Sequence, residues 1–371
     1  MVCKKLFALR KTLLISFLFL FAFANGQAVR KYSNEFMNIG VDAAALGMAN
    51  AVTASTNDVN SGYWNPAGLI GIENKQISLM HASYFANIAQ YDYAAYATQI
   101  DSESAWGISM IRFGVDDILN TTELIDNQGN IDYNRISKFS TADYGFNFSY
   151  ARKLKFKGFQ YGVNAKVIRR VIGKFADSWG FGFDAGLQFE HNNWKFGLML
   201  RDITTTYNIW NINEKEYAKI QNAIPGQNQD LPESTEITLP KAQLGMSKKF
   251  EFHNDTSLLA CANLNMEFYK TNDLITSNLV SFSPALGFEY GYTDLVFLRA
   301  GVGNFQHFYP NEEPSTTGIA PVGKVTFQPN MGLGFKYKGI QVDYALTNLG
   351  KQSAALYSNI FSLKVDLGIF R

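Results

Sequence analysis

The side chains that could do chemistry are few and scattered. Four histidines, His81, His191, His253 and His307, stand far apart along the chain. None lies at a His-x₃-His or comparable metal spacing, and no cysteine accompanies them, so zinc chemistry has no motif to rest on. His191 and His253 fall in short turns, where a solvated side chain is the ordinary reading. His307 lies in a long loop near Asn304 and Gln306, but no nucleophile, base and orienting group can be named together with it. Asp116 and Asp117 are adjacent carboxylates without the spaced third ligand of a cation site. The pairs Gly180/Gly182, Gly301/Gly303 and Gly332/Gly334 resemble halves of a phosphate loop, yet none opens a helix after a buried strand. Arg169 and Arg170 sit close to Lys166. Neighbouring residues of a strand face opposite ways, so only one of the two arginines points inward, and both read as rim charges. No catalytic residue, metal ligand or cofactor site is assigned, and the chain is not read as an enzyme.

The elements that must carry these residues have one dominant pattern. From Trp179 to Glu190 a bulky apolar residue at odd positions alternates with Gly, Asp, Gln or Glu at even ones. Successive side chains of a strand point to opposite faces, so the segment has one apolar and one small-polar face. The glycine pairs fall on the small-polar face, where they leave room for a plug or a bend at the wall. The alternation recurs in fourteen stretches: roughly 75–86, 89–100, 104–113, 140–152, 158–171, 177–190, 193–203, 237–251, 256–268, 280–291, 294–304, 325–337, 339–348 and 359–370. Repeated at lengths near ten residues, it specifies a 14-stranded antiparallel transmembrane β-barrel with lipid outside and a polar lumen. Connection lengths support this. Those after strands 2, 4, 6, 8, 10 and 12 are short, whereas 114–139, 204–236, 269–279 and 305–324 are long. Such segregation belongs to a barrel with short periplasmic turns and long outer loops, both termini being periplasmic. Lys364 and Arg299 must face the lumen, because a midplane position on the lipid face would cost about 2–4 kcal/mol each. Met331, Leu333, Phe335 and Tyr337 should face out, as should Phe361 to Ile369 at odd positions.

The bulk composition agrees. Of 371 residues 15% are aromatic, as interfacial girdles would require, and the net charge of +1 gives no footprint for nucleic acid. Residues 1–26 read as a signal peptide: Lys4, Lys5, Arg10 and Lys11 precede the apolar run Leu13–Phe23, and Ala24-Asn25-Gly26 offers a cleavage site. Export behind such a signal, with the alternating pattern and no apolar run long enough for a spanning helix after residue 26, points to the bacterial outer membrane and its lipids. Removal of the signal leaves Cys261 as the single cysteine, which excludes an internal disulfide. Residues 27–74 break the alternation. Asp42 is a plausible N-cap for a small-residue helix running toward Thr56, and Pro66 can open a second short helix. Small residues pack closely against other backbone, so 27–74 is expected to form an N-terminal helical hatch inside a barrel of residues 75–371. In loop 204–236, Tyr207, Trp210 and Tyr217 suggest either a partner-binding surface or a self-packing lid.

Leu46-Gly47-Met48-Ala49-Asn50-Ala51, Asn57-Asp58-Val59 and Tyr63-Trp64-Asn65-Pro66-Ala67-Gly68-Leu69 together resemble the N-terminal signature of the PorV/PorQ family. These are 14-stranded barrels of Bacteroidota-type bacteria, similar in fold to FadL fatty-acid transporters. The hatch motif Asn65, Pro66, Ala67 and Gly68 is shared with FadL. Beyond about residues 38–70 the likeness rests on strand count, length and the segment Arg112–Asp117. The resemblance implies a component of the type IX secretion system that binds translocon subunits or the C-terminal domains of secreted cargo through outer loops. The alternative is a FadL-like transporter of hydrophobic small molecules. Inner faces rich in Gly, Asn, Gln, Asp and Lys are unfavourable for a fatty acid, although a local apolar pocket near Trp64 would suffice.

Overall fold

The alternating stretches fold as strands that close on themselves. The computed structural model describes residues 33–85, 87–125, 128–223, 234–253, 255–308, 324–347, 349 and 358–370. The signal segment 1–26 lies outside these. The barrel strands are β1 (Gln76–Tyr84), β2 (Ala89–Asp101), β3 (Ser104–Asn120), β4 (Ser137–Lys153), β5 (Phe159–Ile172), β6 (Ala176–His191), β7 (Trp194–Arg201), β8 (Lys241–Phe252), β9 (Thr256–Glu267), β10 (Ser281–Tyr292), β11 (Val296–Phe308), β12 (Lys324–Tyr337), β13 (Ile340–Thr347) and β14 (Ser358–Asp366). Each pairs antiparallel with its neighbours in sequence, and β14 pairs with β1 from Asp366↔Gln76 to Asn359↔Ser83, so the sheet closes on itself. Closure pairs the strands all round the wall, the condition for backbone surrounded by lipid.

The two faces separate as the dyad requires. Trp179, Phe181 and Phe183 are exposed on the outer wall, as are Met331, Leu333, Phe335 and Tyr337. Exposed Trp106, Trp194, Phe252, Tyr292 and Tyr337 lie beside the short turns, in the position of an interfacial girdle. Arg299 and Lys364 both face inward, as charge requires. The wall is uneven in height: β3 and β4 have 17 residues and β6 has 16, against 8 in β7 and β13.

Four sequence expectations are corrected. Strand β3 continues past a bulge between Val115 and Ile118, where Asp117 adopts φ +58°, so Asp116 and Asp117 ride on a strand and not in a loop. Asp116 pairs with Arg112 and Asp117 with Lys138. Within 204–236, Thr206–Ile212 pairs with β6 and with Thr235–Thr238, and Glu214–Ala223 is a helix. The final alternation stops at Asp366, and Leu367–Phe370 turns into a 3-10 helix. The small-residue helix after Asp42 covers only Ala43–Gly47, because Ala49 (φ +53°) and Asn50 (φ +64°) reverse the chain.

Residues 33–72 pack within the wall. Phe36, Val41, Leu46, Tyr63, Trp64 and Leu69 are all buried, and their segment touches β4, β5, β12 and β13. Glycines on the inner face let this backbone approach. A Cβ at Gly301 would overlap Met48, one at Gly197 would overlap Thr53, and one at Gly332 would crowd Gly47. The pair Gly180/Gly182 instead meets Asn208 and Thr206 of the added hairpin.

Candidate functional site

Asn65 fixes the inner segment to the wall. Its carboxamide oxygen accepts from the Ala67 backbone at 3.2 Å, capping the 3-10 turn Pro66–Gly71. Its amide nitrogen donates to the carbonyls of Thr53 (3.0 Å), Leu187 (3.2 Å) and Leu198 (3.4 Å). One fully buried side chain thus joins the hatch segment to β6 and β7. Pro66 and Ala67 lie over Gly162, where a Cβ would collide with both, and a Cβ at Gly68 would strike the Thr56 carbonyl. The four residues of the motif are therefore used in seating this segment.

Charges inside the lumen are paired. Lys166 bridges Asp184 (2.8 Å) and Asp202, and Arg299 bridges Glu289 (2.6 Å) and Asp343 (2.7 Å). Lys364 reaches Asp58 of the inner segment. Asp42 accepts hydrogen bonds from the Ala44 backbone and the Ser362 hydroxyl (2.9 Å). Burial pushes the Asp42 carboxyl up to about 6, with Lys364 opposing and Asp343 and Asp58 reinforcing the rise.

Cavities flank the inner segment. A cavity of about 870 Å³ opens toward the long-loop end between Asn50, Gln243, Asn265, Gln306, Gln328 and the Tyr63–Trp64 pair. A second, of about 450 Å³, lies toward the short turns beside Asp58, Glu73, Lys364 and Asp366. Trp64 borders both. The cavities that Trp64 borders are lined mainly by polar and charged side chains, not by the apolar pocket a fatty acid would need.

A third cleft, of about 610 Å³, sits at the loop-end rim on the tall side of the wall. Ile118, Phe139, Ile172, Phe175, Trp210 and Ile212 line it, and Phe139 meets Phe175 edge-on at 5.4 Å. Arg170 lies in the cleft, tied to Asp143 (2.9 Å) and Glu236 (3.2 Å) beneath the Trp210 ring. The rim-charge reading therefore holds for Arg169, which packs on the outward Trp179, and fails for Arg170. Of the three loop aromatics, Trp210 and Tyr217 line this cleft, whereas Tyr207 is exposed beside Phe181 on the outer wall. They do not form one surface. Sequence reasoning missed the cleft because its walls come from β3, β4, β5, β6 and the hairpin. The alternation within Thr206–Ile212 was the available signal.

Among the described residues no group of three or more histidine, cysteine or acidic side chains could hold a metal ion. His307 Nε2 lies 3.1 Å from the Leu274 carbonyl, and the buried Cys261 thiol faces Ser55 at 3.5 Å.

No protein-family model matches the sequence, and no curated protein matches it. Solved structures do resemble it. A FadL homologue of Pseudomonas aeruginosa superposes with a TM-score of 0.51 at 14% identity, covering 88% of this chain and 98% of that one. The toluene transporter TodX of P. putida gives 0.54 at 12% identity over 88% and 99%. The monoaromatic hydrocarbon channel CymD gives 0.53 at 12% over 89% and 98%. None of these comparisons supports the PorV/PorQ assignment. At such identities the likeness establishes the fold, a FadL-like outer-membrane β-barrel of fourteen strands.

Proposed function

We propose that this chain is an integral outer-membrane channel for hydrophobic small molecules, with its long loops outside and both ends of the barrel toward the periplasm. The observation that carries the reading is the rim cleft. Among the cavities described it joins a predominantly aromatic and aliphatic lining to the loop end, where an apolar solute would first arrive. Support comes from the solved structures, two of which are described as a toluene transporter and a hydrocarbon channel. Residues 33–72 act as the hatch that keeps the lumen from being an open pore. The secretion role is implied by the PorV/PorQ resemblance, which is sharp over about residues 38–70, and its Asn65–Gly68 motif is used in seating the hatch.

Uptake of radiolabelled toluene by cells producing the full chain, against cells without it, tests the proposal. Toluene should enter faster with the protein present, and Phe139→Ser should reduce the gain by about threefold or more by wetting the cleft. Equal uptake with and without the protein would reject the reading. Affinity purification from native outer membranes separates the alternative: co-purifying type IX translocon subunits or cargo C-terminal domains would favour the secretion role.

A further inference from the structure

The 870 Å³ cavity above the hatch has a chemistry opposite to that of the rim cleft. Nine carboxamide side chains line it, among them Asn50 on the hatch, Gln243 and Asn265 on adjacent strands, and Asn304 and Gln306 at the β11 bulge. Gln243, Asn265 and Ser283 stand directly opposite one another across β8, β9 and β10, with Gln243 donating to Asn265 at 3.0 Å. The charges cancel: Arg201, Lys241 and Lys270 balance Glu35, Glu267 and Asp273. Lys241 is held by Glu267 at 2.8 Å, and Arg201 donates to the Tyr63 carbonyl at 2.9 Å and to Gln243 at 3.2 Å. The floor is rigid. Tyr63 and Trp64 pack edge-on at 4.8 Å, their polar atoms donating to the Met37 and Val41 carbonyls. The buried carboxamide oxygen of Asn50, at the margin of this floor, has no hydrogen-bond partner.

We propose that this cavity is a binding site for a neutral, hydroxyl-rich ligand, a saccharide of one to three units. A carboxamide both donates and accepts, and so does a hydroxyl, so a wall of amides matches a ligand with hydroxyls in many directions. A hydrocarbon would leave those groups unpaired, which is the stronger penalty. A monovalent ion would find no excess of either sign, because three cationic and three anionic side chains line the cavity and Lys241 is already held by Glu267. The volume lies within the roughly 300–1,000 Å³ of small-molecule sites. The inference goes beyond the hydrocarbon reading and does not depend on it, since the two cavities share no lining residue.

Isothermal titration of the detergent-purified full chain with glucose, galactose, maltose, cellobiose and maltotriose tests it. At least one should bind saturably below about 10 mM. Gln243→Leu with Asn265→Leu, which keeps side-chain bulk and removes the amides, should weaken that binding about tenfold or more. Asn304→Ala, at an exposed position, should weaken it in the same direction without touching the wall ladder. Retained heat-modifiable migration on gels shows that each variant has kept its barrel. Absence of binding by all five sugars, or undiminished binding in both variants, overturns the proposal. Toluene uptake measured on the same variants should be unchanged, so failure here and failure of the hydrocarbon reading are read separately.

Discussion

At the scale of single residues, two hatch side chains hold most of the consequence. The Asn65 amide, with two N–H donors, lies within hydrogen-bond reach of carbonyls from three chain segments, and its oxygen caps its own turn. Removing it strands buried acceptors, so Asn65→Ala should lower stability by about 2–3 kcal/mol. Thermal unfolding in detergent checks this, and a loss within about 0.5 kcal/mol would deny Asn65 that role. Asp42 behaves differently. Its carboxyl, ordinarily near 3.8, is raised to about 6, so the folded protein holds a proton that the unfolded chain has released. The contribution of this group therefore favours folding below pH 4 and declines as pH rises to about 6, then stays level. Lys364, Arg299, Asp58 and Asp343 face it and remain in either case. Asp42→Asn keeps an acceptor for Ala44 and Ser362 but cannot titrate. The difference in melting temperature between variant and parent should move in the variant's favour from pH 4 to pH 6.5. A constant difference across that range would show that the Asp42 carboxyl does not titrate there.

At the scale of elements, the strands were legible and their extensions were not. Every one of the fourteen stretches became a barrel strand, because lipid and lumen impose opposite chemistry on alternate residues. Lys364 and Arg299 fixed the register, since only the inward face supplies Asp58, Glu289 and Asp343. The hairpin at Thr206–Ile212 carries the same alternation, Thr206 and Asn208 buried, Tyr207 and Ile209 exposed, yet it is short and follows a turn. Its pairing with β6 depends on Gly180 and Gly182, far away in sequence. The rim cleft was illegible for the same reason, and so was Arg170, whose partner Glu236 lies 66 residues away. Close approach of hatch and wall also left only a faint mark in sequence, as single glycines. Gly245 and Gly197 face each other across β7 and β8, both against Thr53 and Ala54. Gly245→Val should leave the barrel assembled but cost about 1–3 kcal/mol by overpacking. It should also speed proteolysis of the hatch near residues 53–56. Cleavage at the parent's rate would mean that the wall yields there instead.

At the scale of the whole molecule, the question is whether anything passes along the axis. The two lumen cavities lie on opposite sides of the hatch, and Trp64 borders each. Between them Arg201 stacks on Tyr63 at 4.6 Å, Asn263 donates to Asn50 and Thr53, and Lys364 holds Asp58. These contacts come from β7, β9 and β14, so the hatch is gripped from different sides of the wall. A segment held this way should act as a barrier to ions, because separating it from the wall would expose paired charges and buried apolar side chains together. Reconstituted in planar bilayers, the intact chain should show small or no conductance steps. Excision of residues 33–72 leaves the fourteen strands and their ladders intact and removes the side chains that fill the lumen. That variant should give large, long-lived openings of the kind expected for a water-filled barrel. Large steps from the intact chain would mean that residues 33–72 swing clear of the lumen in a membrane. Equal, small steps from both would place the barrier in the loops and not in the hatch.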